Sequence, residues 1–293
     1  MAAKIINGNE VSQIMKDEMK QEVSDLKAKG YEPCLAVILV GEDPASKVYV
    51  SNKRKTCEYI GIKSLETKLS METTTEQLLD VINWYNNDKS VHGILCQLPL
   101  PKQIPETRIL RSILPEKDVD CFHPFNVGLI SIGEVRFLPC TPAGCLELIK
   151  RGGFEVAGKD VVILGRSNIV GRPLSNMLDQ RTYNATVTMC HTKTKDLKGK
   201  CRAADIIIAA MGQPEFLKGD MVKEGVVVID VGINRVDAPG TEKGWKLVGD
   251  VAFDAVKEKA AAITPVPGGV GPMTIAMLMK NTLTAAREAY GLL

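Results

Sequence analysis

Two regions of the 293-residue chain, in each of which strand-like and helix-like patterns alternate, predict an α/β fold of two domains flanking a cleft. A chain of this length is long enough to bury two separate cores. In the first region, the continuous apolar run at 34–40 ends at Gly41 and is typical of a buried parallel strand. In the second region, the apolar run at 161–164 precedes a glycine and a helix-like segment. We therefore expect a parallel sheet in each domain.

Helices and strands alternate along the first region. Helix-like spacing runs from 44 to 60, and a half-buried strand is expected near 62–69. The threonine run at 73–75 predicts the N-cap of another helix. The next strand, at 91–98, ends before Pro99, which cannot donate a backbone hydrogen bond. This β-α-β-α-β order predicts a parallel sheet with right-handed crossovers.

The segment that joins the two regions is less regular. Residues 115–139 follow neither pattern, and we expect a hairpin near 129–137. A helix that starts at Thr141 and ends at the glycines 152–153 is the candidate hinge. The chain is accordingly divided into a first domain, 1–140 completed by a C-terminal helix at 272–293, and a second domain, 141–271.

The second region has the pattern of a Rossmann-type dinucleotide-binding domain. Further strands are expected at 185–190, 206–210 and 226–231. The turn after its first strand runs Gly165-Arg166-Ser167-Asn168-Ile169-Val170-Gly171. A glycine between a strand and a helix N-terminus favours pyrophosphate, because free N–H groups and the helix dipole attract an anion. Since Ser167 replaces the usual second glycine, an ordinary strand-to-helix corner stays open as an alternative.

The residues that follow the next strand favour NADP over NAD. An NAD site usually carries an acidic residue there, which binds the ribose hydroxyls. Here the strand is followed by His191-Thr192-Lys193-Thr194-Lys195, which offers hydroxyl and cationic groups but no acid. Together with Arg166, these groups suit a ribose phosphate. The lysines are equally consistent with a solvated loop.

Polar residues of the first region suggest acid–base chemistry. Ser46, Tyr49 and Lys53 are spaced by three and four residues and therefore share a helix face. A partly desolvated lysine loses proton affinity and can act near neutral pH, although a run of cations is also typical of a solvated face. Gln97 lies at the carboxyl end of a predicted strand, where open α/β sheets bind ligands. A carboxylate of the irregular segment Pro115 to Asp120 could accept paired N–H donors from a heterocycle or form an Asx turn.

Composition and charge argue against several classes of protein. The net charge of +2 indicates no general attraction to nucleic acid or to a membrane surface. The chain shows no signal-peptide pattern and no apolar run of membrane-spanning length, so we expect a cytoplasmic protein. The eight cysteines form no C-x-x-C pair and are expected to be reduced and buried. The three histidines lie far apart, and no metal site is predicted.

Six segments, in order along nearly the whole chain, resemble the family of bifunctional methylenetetrahydrofolate dehydrogenase/cyclohydrolases. The six segments are Asp43-x-x-Ser46-x-x-Tyr49-x-x-x-Lys53, His92 to Pro101, Pro115 to Asp120, Pro139-Cys140-Thr141-Pro142-x-Gly144, Gly165-Arg166-Ser167-x-x-Val170-Gly171 and Ile263 to Thr274. The resemblance implies that NADP⁺ takes a hydride from the one-carbon bridge of methylenetetrahydrofolate. Water then adds to the methenyl cation, and the ring opens to 10-formyltetrahydrofolate.

The resemblance also implies roles for individual residues. Lys53 is the principal acid–base group of the second step, and Gln97 tunes and positions it. Tyr49 packs against the folate rings, and Asp120 anchors the pterin N–H groups. The implied substrate contacts are Tyr49, Lys53, Cys96, Gln97, Leu98, Asp120 and the loop Pro267, Gly268, Gly269, Val270, Gly271. The implied cofactor contacts are Gly165, Arg166 and Ser167 at the phosphates, Thr192 near the ribose phosphate and Ile233 beside the nicotinamide.

One residue departs from the family pattern. Cys121 follows Asp120 where the family usually has glycine, and a cysteine adopts a positive φ less readily. We therefore expect a slightly re-angled loop around Asp120. The resemblance further implies a homodimer formed through the dinucleotide domain. A different two-domain NADP-dependent dehydrogenase and a dinucleotide-sensing protein without activity are the alternatives.

Overall fold

The computed structural model describes residues 2–241 and 243–293 and divides the chain into two compact α/β units. The three-stranded unit contains Gln13–Cys140 and Ile275–Leu293, and the six-stranded unit contains the chain up to Ser12 and Thr141–Thr274. The helices are α1 Gly8–Ala28, α2 Pro44–Ile60, α3 Thr75–Asn87, α4 Glu106–Leu110, α5 Pro124–Ile132, α6 Cys140–Arg151, α7 Gly171–Leu178, α8 Leu197–Ala203, α9 Phe253–Lys257 and α10 Val270–Ala289. The strands are β1 Lys4–Ile5, β2 Cys34–Val40, β3 Lys63–Leu69, β4 Gly93–Cys96, β5 Asp160–Leu164, β6 Thr186–Cys190, β7 Ile206–Ala209, β8 Val227–Asp230, β9 Asn234–Asp237, β10 Trp245–Val248 and β11 Ala262–Ile263.

The three-stranded unit is built around β2. Its sheet has the order β3-β2-β4, and both pairings are parallel. Every residue of β2 is buried because the strand is central, which explains its continuous apolar sequence. Leu78 and Ile82 of α3 pack with alternate residues of β2 in one core. The predicted β-α-β-α-β region and its parallel sheet are confirmed.

Local capping sets the ends of two helices in this unit. The Asp43 carboxylate accepts a hydrogen bond from the Ser46 backbone N–H (2.7 Å) and caps α2, and Gly61 ends the helix with φ 89°. Thr74 and Gln77 form a reciprocal capping box at the start of α3. The threonine cap predicted for this helix is therefore confirmed.

The hairpin expected near 129–137 is wrong, because helix α5 occupies Pro124–Ile132. The imidazole Nδ1 of His123 accepts the N–H of Phe125 (3.1 Å) and caps this helix, and Pro124 occupies its first turn. The apolar composition of the segment conceals these start signals. Gly133, with φ 83°, then ends the helix.

The six-stranded unit has the strand order β1-β11-β8-β7-β5-β6, with all pairings parallel. Buried residues of β5, β7 and β8 form one core with α8 and α9. A separate antiparallel pair, β9 and β10, was not expected from the sequence. The parallel strands predicted for the second domain are confirmed with boundaries shifted by one or two residues.

The first twelve residues belong to a different unit from the one that the sequence predicts. The sequence-based boundary places them in the first domain, but β1 pairs with β11 and so joins the six-stranded sheet. The backbone N–H of Asn9 also donates to Gly268 O (3.2 Å). The long helix α1 begins there and was missed altogether. Pairing between residues about 260 positions apart is a long-range contact that local patterns cannot reveal.

No helix in the described parts of the chain, 2–241 and 243–293, combines the length and apolar character that crossing a membrane requires. All eight cysteines are buried and free of disulfide bonds, as the sequence predicted. Burial raises the pKa of several of these thiols, to about 12 in Cys57, Cys96 and Cys145. These three side chains are therefore neutral core residues at physiological pH.

Candidate active site and dinucleotide site

Lys53 and Gln97 form a buried hydrogen-bonded pair in the three-stranded unit. Lys53 is only 8% exposed, whereas the next two cations of its run are exposed. Its ammonium Nζ lies 2.8 Å from Gln97 Oε1, directly beyond the end of β4. Gln97 Nε2 donates to Leu98 O (2.7 Å), which sets the amide so that its oxygen faces the lysine. The solvated-face alternative therefore does not describe Lys53.

Burial changes the protonation of the groups around this pair. It lowers the pKa of Lys53, and the nearby Asp120 carboxylate acts in the opposite direction. Burial raises the pKa of Asp120, which the ammonium of Lys53 and the nearby Cys140 thiol oppose. The structure thus brings Lys53, Gln97 and Asp120 into one electrostatically coupled group. Both shifts favour the uncharged form of the group, which suits residues that exchange a proton with a ligand.

Asp118 supports the loop that carries Asp120 and was not identified from the sequence. Its buried carboxylate accepts the backbone N–H groups of Phe122 (3.2 Å) and His123 (2.8 Å) and the amide of Asn126 (2.9 Å). Cys121 lies between with φ 62°, the left-handed conformation that a glycine would adopt without strain. Its thiol donates to Phe137 O (3.3 Å). The loop therefore accommodates the cysteine in a conformation typical of glycine.

The C-terminal helix α10 also supports this loop. The buried side-chain amide of Asn281 donates to Val119 O and to Leu138 O, both at 2.8 Å. Val119 directly precedes Asp120, so the amide holds the backbone on one side of the acid. A polar residue within an apolar helix was the available signal, but its partners lie more than 140 residues away.

The remaining expected substrate residues of this unit have different environments. Tyr49 lies one helical turn before Lys53 and is 41% exposed, and Ser46, on the same face, is buried. Cys96 is a buried residue of β4, and Leu98 is half-buried beside Gln97. An exposed phenol ring next to a buried lysine can stack on a flat ligand while the lysine stays shielded.

The glycine-rich loop at 267–271 belongs to the six-stranded unit. Gly268 has φ 99°, and Pro267 and Gly268 precede α10, which begins at Val270. The loop approaches the N-terminus of α1 so closely that a Cβ on Gly8 would overlap the carbonyl group of Gly269. This contact explains why small residues are needed here. Pro267, at the start of the loop, is exposed.

The turn between β5 and α7 is compact and free of side-chain capping. A Cβ on Gly171 would lie 2.8 Å from the carbonyl carbon of Gly165 and 3.1 Å from the Cα of Arg166. Ser167 Oγ accepts the N–H of Val170 (3.1 Å), and no side chain caps the first N–H groups of α7. Arg166 and Ser167 are exposed. In the first turn of α7 the N–H of Arg172 donates to Ser167 O (3.1 Å), and Pro173 has no N–H. The features that fit the pyrophosphate of a dinucleotide are therefore the helix dipole and the Arg166 cation.

The other expected cofactor residues also lie at the carboxyl ends of strands. After β6, the N–H of His191 donates to Thr194 Oγ1 (2.9 Å), and this tight turn exposes Thr192. Ile233 follows β8 and is 49% exposed. Among residues 2–241 and 243–293, no three His, Cys, Asp or Glu side chains are grouped so that they could hold a metal ion.

Two buried aspartates near Ile233 were missed by the sequence analysis. Asp230 ends β8, and Asp250 follows β10; the two are 3% and 0% exposed. Burial raises the pKa of Asp230 to about 7, although three backbone N–H donors act in the opposite direction. Nothing in the periodicity of the sequence distinguishes them from ordinary turn residues.

Two family models match the chain along these units. The catalytic domain of tetrahydrofolate dehydrogenase/cyclohydrolase matches residues 6–120, and the NAD(P)-binding domain of the same enzymes matches residues 139–290. Bifunctional protein FolD of Geotalea uraniireducens is 57% identical over 286 residues, which cover 98% of this chain and 99% of that protein.

Solved structures agree with these matches. The bifunctional enzyme FolD of Campylobacter jejuni superimposes with a TM-score of 0.92 at 53% identity, covering 98% of this chain and 99% of that one. The FolD of Trypanosoma brucei, complexed with NADP cofactor and inhibitor, gives a TM-score of 0.93 at 40% identity, covering 99% of each chain. The chain therefore belongs to the tetrahydrofolate dehydrogenase/cyclohydrolase family.

Proposed function

We propose that this chain oxidises 5,10-methylenetetrahydrofolate with NADP⁺ and then hydrolyses the methenyl product to 10-formyltetrahydrofolate. The observation that carries the proposal is the buried Lys53, hydrogen-bonded to Gln97 and coupled to Asp120. A buried lysine with a fixed amide partner and an acid is costly to maintain in a core. Such an arrangement is expected where a proton must be moved.

The cyclohydrolase step follows from the lowered pKa of Lys53. In its neutral form the amine is not repelled by the methenyl cation, and it can accept a proton from the water that attacks the cationic carbon. The same proton can then pass to the ring nitrogen that departs as the ring opens, while the proton of the new hydroxyl group is released to solvent as the formyl C=O forms. Gln97 Oε1 holds Nζ in place throughout, and Asp120 is proposed to accept the pterin N–H groups.

The dehydrogenase step needs the dinucleotide turn. When bound, NADP⁺ accepts a hydride from the one-carbon bridge of the substrate. We assign the phosphates to Gly165, Arg166 and Ser167, the ribose phosphate to Thr192 and the nicotinamide side to Ile233. The uncapped N-terminus of α7 supports this assignment. Tyr49 and the loop Pro267, Gly268, Gly269, Val270 and Gly271, together with Cys96 and Leu98, are the proposed folate contacts.

The test is a coupled assay in one cuvette that follows reduced nicotinamide formation and the decay of the methenyl chromophore. Wild-type protein is expected to carry out both steps, whereas Lys53→Met should lose cyclohydrolase turnover by about a hundredfold or more while it still binds folate. Lys55→Met, an exposed cation on the same helix, is the matched control. Unchanged cyclohydrolase turnover in Lys53→Met would refute the proposal.

We also propose NADP rather than NAD as the preferred cofactor, because Arg166 and the hydroxyl of Thr192 suit a ribose phosphate and no acid follows β6. Running the same assay with each dinucleotide tests this preference. A higher kcat/KM with NAD⁺ than with NADP⁺ would overturn it. An Arg166→Gln variant should lose affinity for NADP⁺ by tenfold or more and leave the cyclohydrolase reaction intact.

A homodimer in the cytoplasm is the proposed state of the protein. The strand β6 lies at one edge of the six-stranded sheet, and such an edge offers backbone groups to a second copy. Light scattering after size-exclusion chromatography should give twice the mass of one chain; a single-chain mass at micromolar concentration contradicts the dimer. Cell fractionation with an antibody to the chain tests the location, and recovery in a membrane or secreted fraction contradicts it.

A further inference from the structure

Asp230 and Asp250 adjoin each other at the carboxyl edge of the six-stranded sheet. Asp230 Oδ1 accepts the backbone N–H groups of Gly232 (3.0 Å) and of Asp250 (2.9 Å), and Oδ2 accepts that of Val251 (3.0 Å). The N–H of Asp230 itself donates to Thr264 Oγ1 (2.8 Å). The first aspartate therefore links the end of β8 to the segment that carries the second aspartate.

Asp250 connects this segment to two further stretches of backbone. Its Oδ2 accepts the N–H groups of Met211 (2.5 Å) and Gly212 (2.9 Å), which follow β7. Its Oδ1 accepts the N–H of Gln213 and the side-chain amide of Asn234, both at 2.9 Å. One carboxylate thus satisfies four donors from two loops.

The position of these donors is significant for Ile233. The residues on either side of it, Gly232 and Asn234, are bonded to Asp230 and to Asp250 respectively. A Cβ on Gly232 would overlap the Asp250 carboxylate, so the backbone lies directly against the acid. Ile233 is thereby exposed on a loop whose backbone is fixed from both sides.

Asp250 receives four donors and Asp230 receives three, in each case on both oxygens, so each carboxyl group is held from both sides. Burying two acids next to each other is expensive, and an apolar pair would satisfy the packing alone. The cost indicates a role beyond filling the core. We propose that Asp230 and Asp250 are positioning residues for the hydride-transfer step, which orient the Ile233 loop toward the nicotinamide ring. This inference rests on the proposed function and extends it to residues that do not contact the cofactor.

The test compares Asp250→Asn with the wild-type chain in three measurements. Asparagine keeps the shape of the side chain but replaces one acceptor oxygen with an NH₂ group. This group is itself a donor, and it would face two N–H donors that have lost their acceptor. We expect dehydrogenase kcat to fall by about 10- to 100-fold, because a displacement of about 1 Å can cost a hundredfold in rate. The KM for NADP⁺ should change by less than fivefold, and cyclohydrolase turnover should stay within twofold. Hydrogen–deuterium exchange without cofactor should quicken by tenfold or more at 211–213 and 232–234.

Asp254→Asn, an exposed acid of the same unit, is the matched control and should change none of these quantities. If Asp250→Asn fails to fold, Asn234→Ala removes one donor and leaves the carboxylate in place. This variant should also lower the dehydrogenase kcat and spare cyclohydrolase turnover, with a smaller loss in kcat than expected for Asp250→Asn. Equal losses in both activities, or a kcat within twofold of wild type, would overturn the inference. A wild-type chain without dehydrogenase activity would instead overturn the proposed function, and this outcome is seen before any variant is compared.

Discussion

Replacing Gly171 with alanine probes the geometry of the dinucleotide turn most directly. The new Cβ would overlap the Gly165 carbonyl group and lie 3.1 Å from the Cα of Arg166. The optimal separation of two non-bonded carbon atoms is about 3.5–4.0 Å, so the start of α7 must move by roughly 1 Å. Overpacking of this kind costs about 1–3 kcal/mol in free energy of unfolding. The same shift displaces the N–H groups proposed to hold phosphate, so NADP⁺ affinity should fall by about 10- to 100-fold.

The assay combines urea unfolding with calorimetric titration of NADP⁺. Gly128→Ala is the matched control, since Gly128 lies inside helix α5 with open space around its Cα and ordinary backbone angles. Alanine there should stabilise the chain by about 0.5–1 kcal/mol and leave NADP⁺ binding unchanged. The change in free energy of unfolding should therefore have opposite signs for the two glycine-to-alanine substitutions. If Gly171→Ala unfolds and binds like Gly128→Ala, the argument from close helix–strand contact is refuted.

Three further predictions concern stability. Burial lowers the pKa of His92 from 6.5 to about 4. The contribution of the neutral imidazole to stability is therefore complete above pH 6.5 and is lost as pH falls through about 4. In acid-unfolding titrations over that range, the wild-type chain should lose about 3 kcal/mol more free energy of unfolding than His92→Asn. Asn281→Leu leaves Val119 O and Leu138 O without their donor and should cost about 2–4 kcal/mol in urea unfolding, whereas a cost below 0.5 kcal/mol would contradict the role of the amide. Thr74→Ala should destabilise by about 1 kcal/mol and Thr74→Ser by much less, and equal effects would show that the capping box contributes nothing.

Local chemistry explains which elements could be predicted. The strand at 34–40 is apolar throughout because it is buried on both faces, and the cap at Thr74 lies within three residues of its partner. The helix at 124–132 was not predicted, because its start depends on His123 accepting a backbone N–H and on support from Asp118. Neither role is visible in a hydrophobic pattern.

The candidate site divides in the same way. Lys53 and Gln97 were identified from their residue types and positions at a helix and a strand end, and the family resemblance supplied their roles. The network of Asp230 and Asp250 was missed because its donors come from backbone N–H groups, which every non-proline residue carries. A sequence cannot indicate which backbone groups will meet a buried carboxylate.

The sequence by itself determined the α/β class, the parallel strands, the phosphate-binding turn and the family, because each depends on patterns within about twenty residues or on motifs in order. Only the tertiary structure decided that β1 joins the second sheet, that Lys53 is buried while its neighbouring cations are exposed, and that Asn281 supports the Asp120 loop. These features depend on contacts between residues from 44 to about 260 positions apart. Burial and hydrogen-bond partners at such separations arise only when the whole chain is packed, and they set the pKa of Lys53.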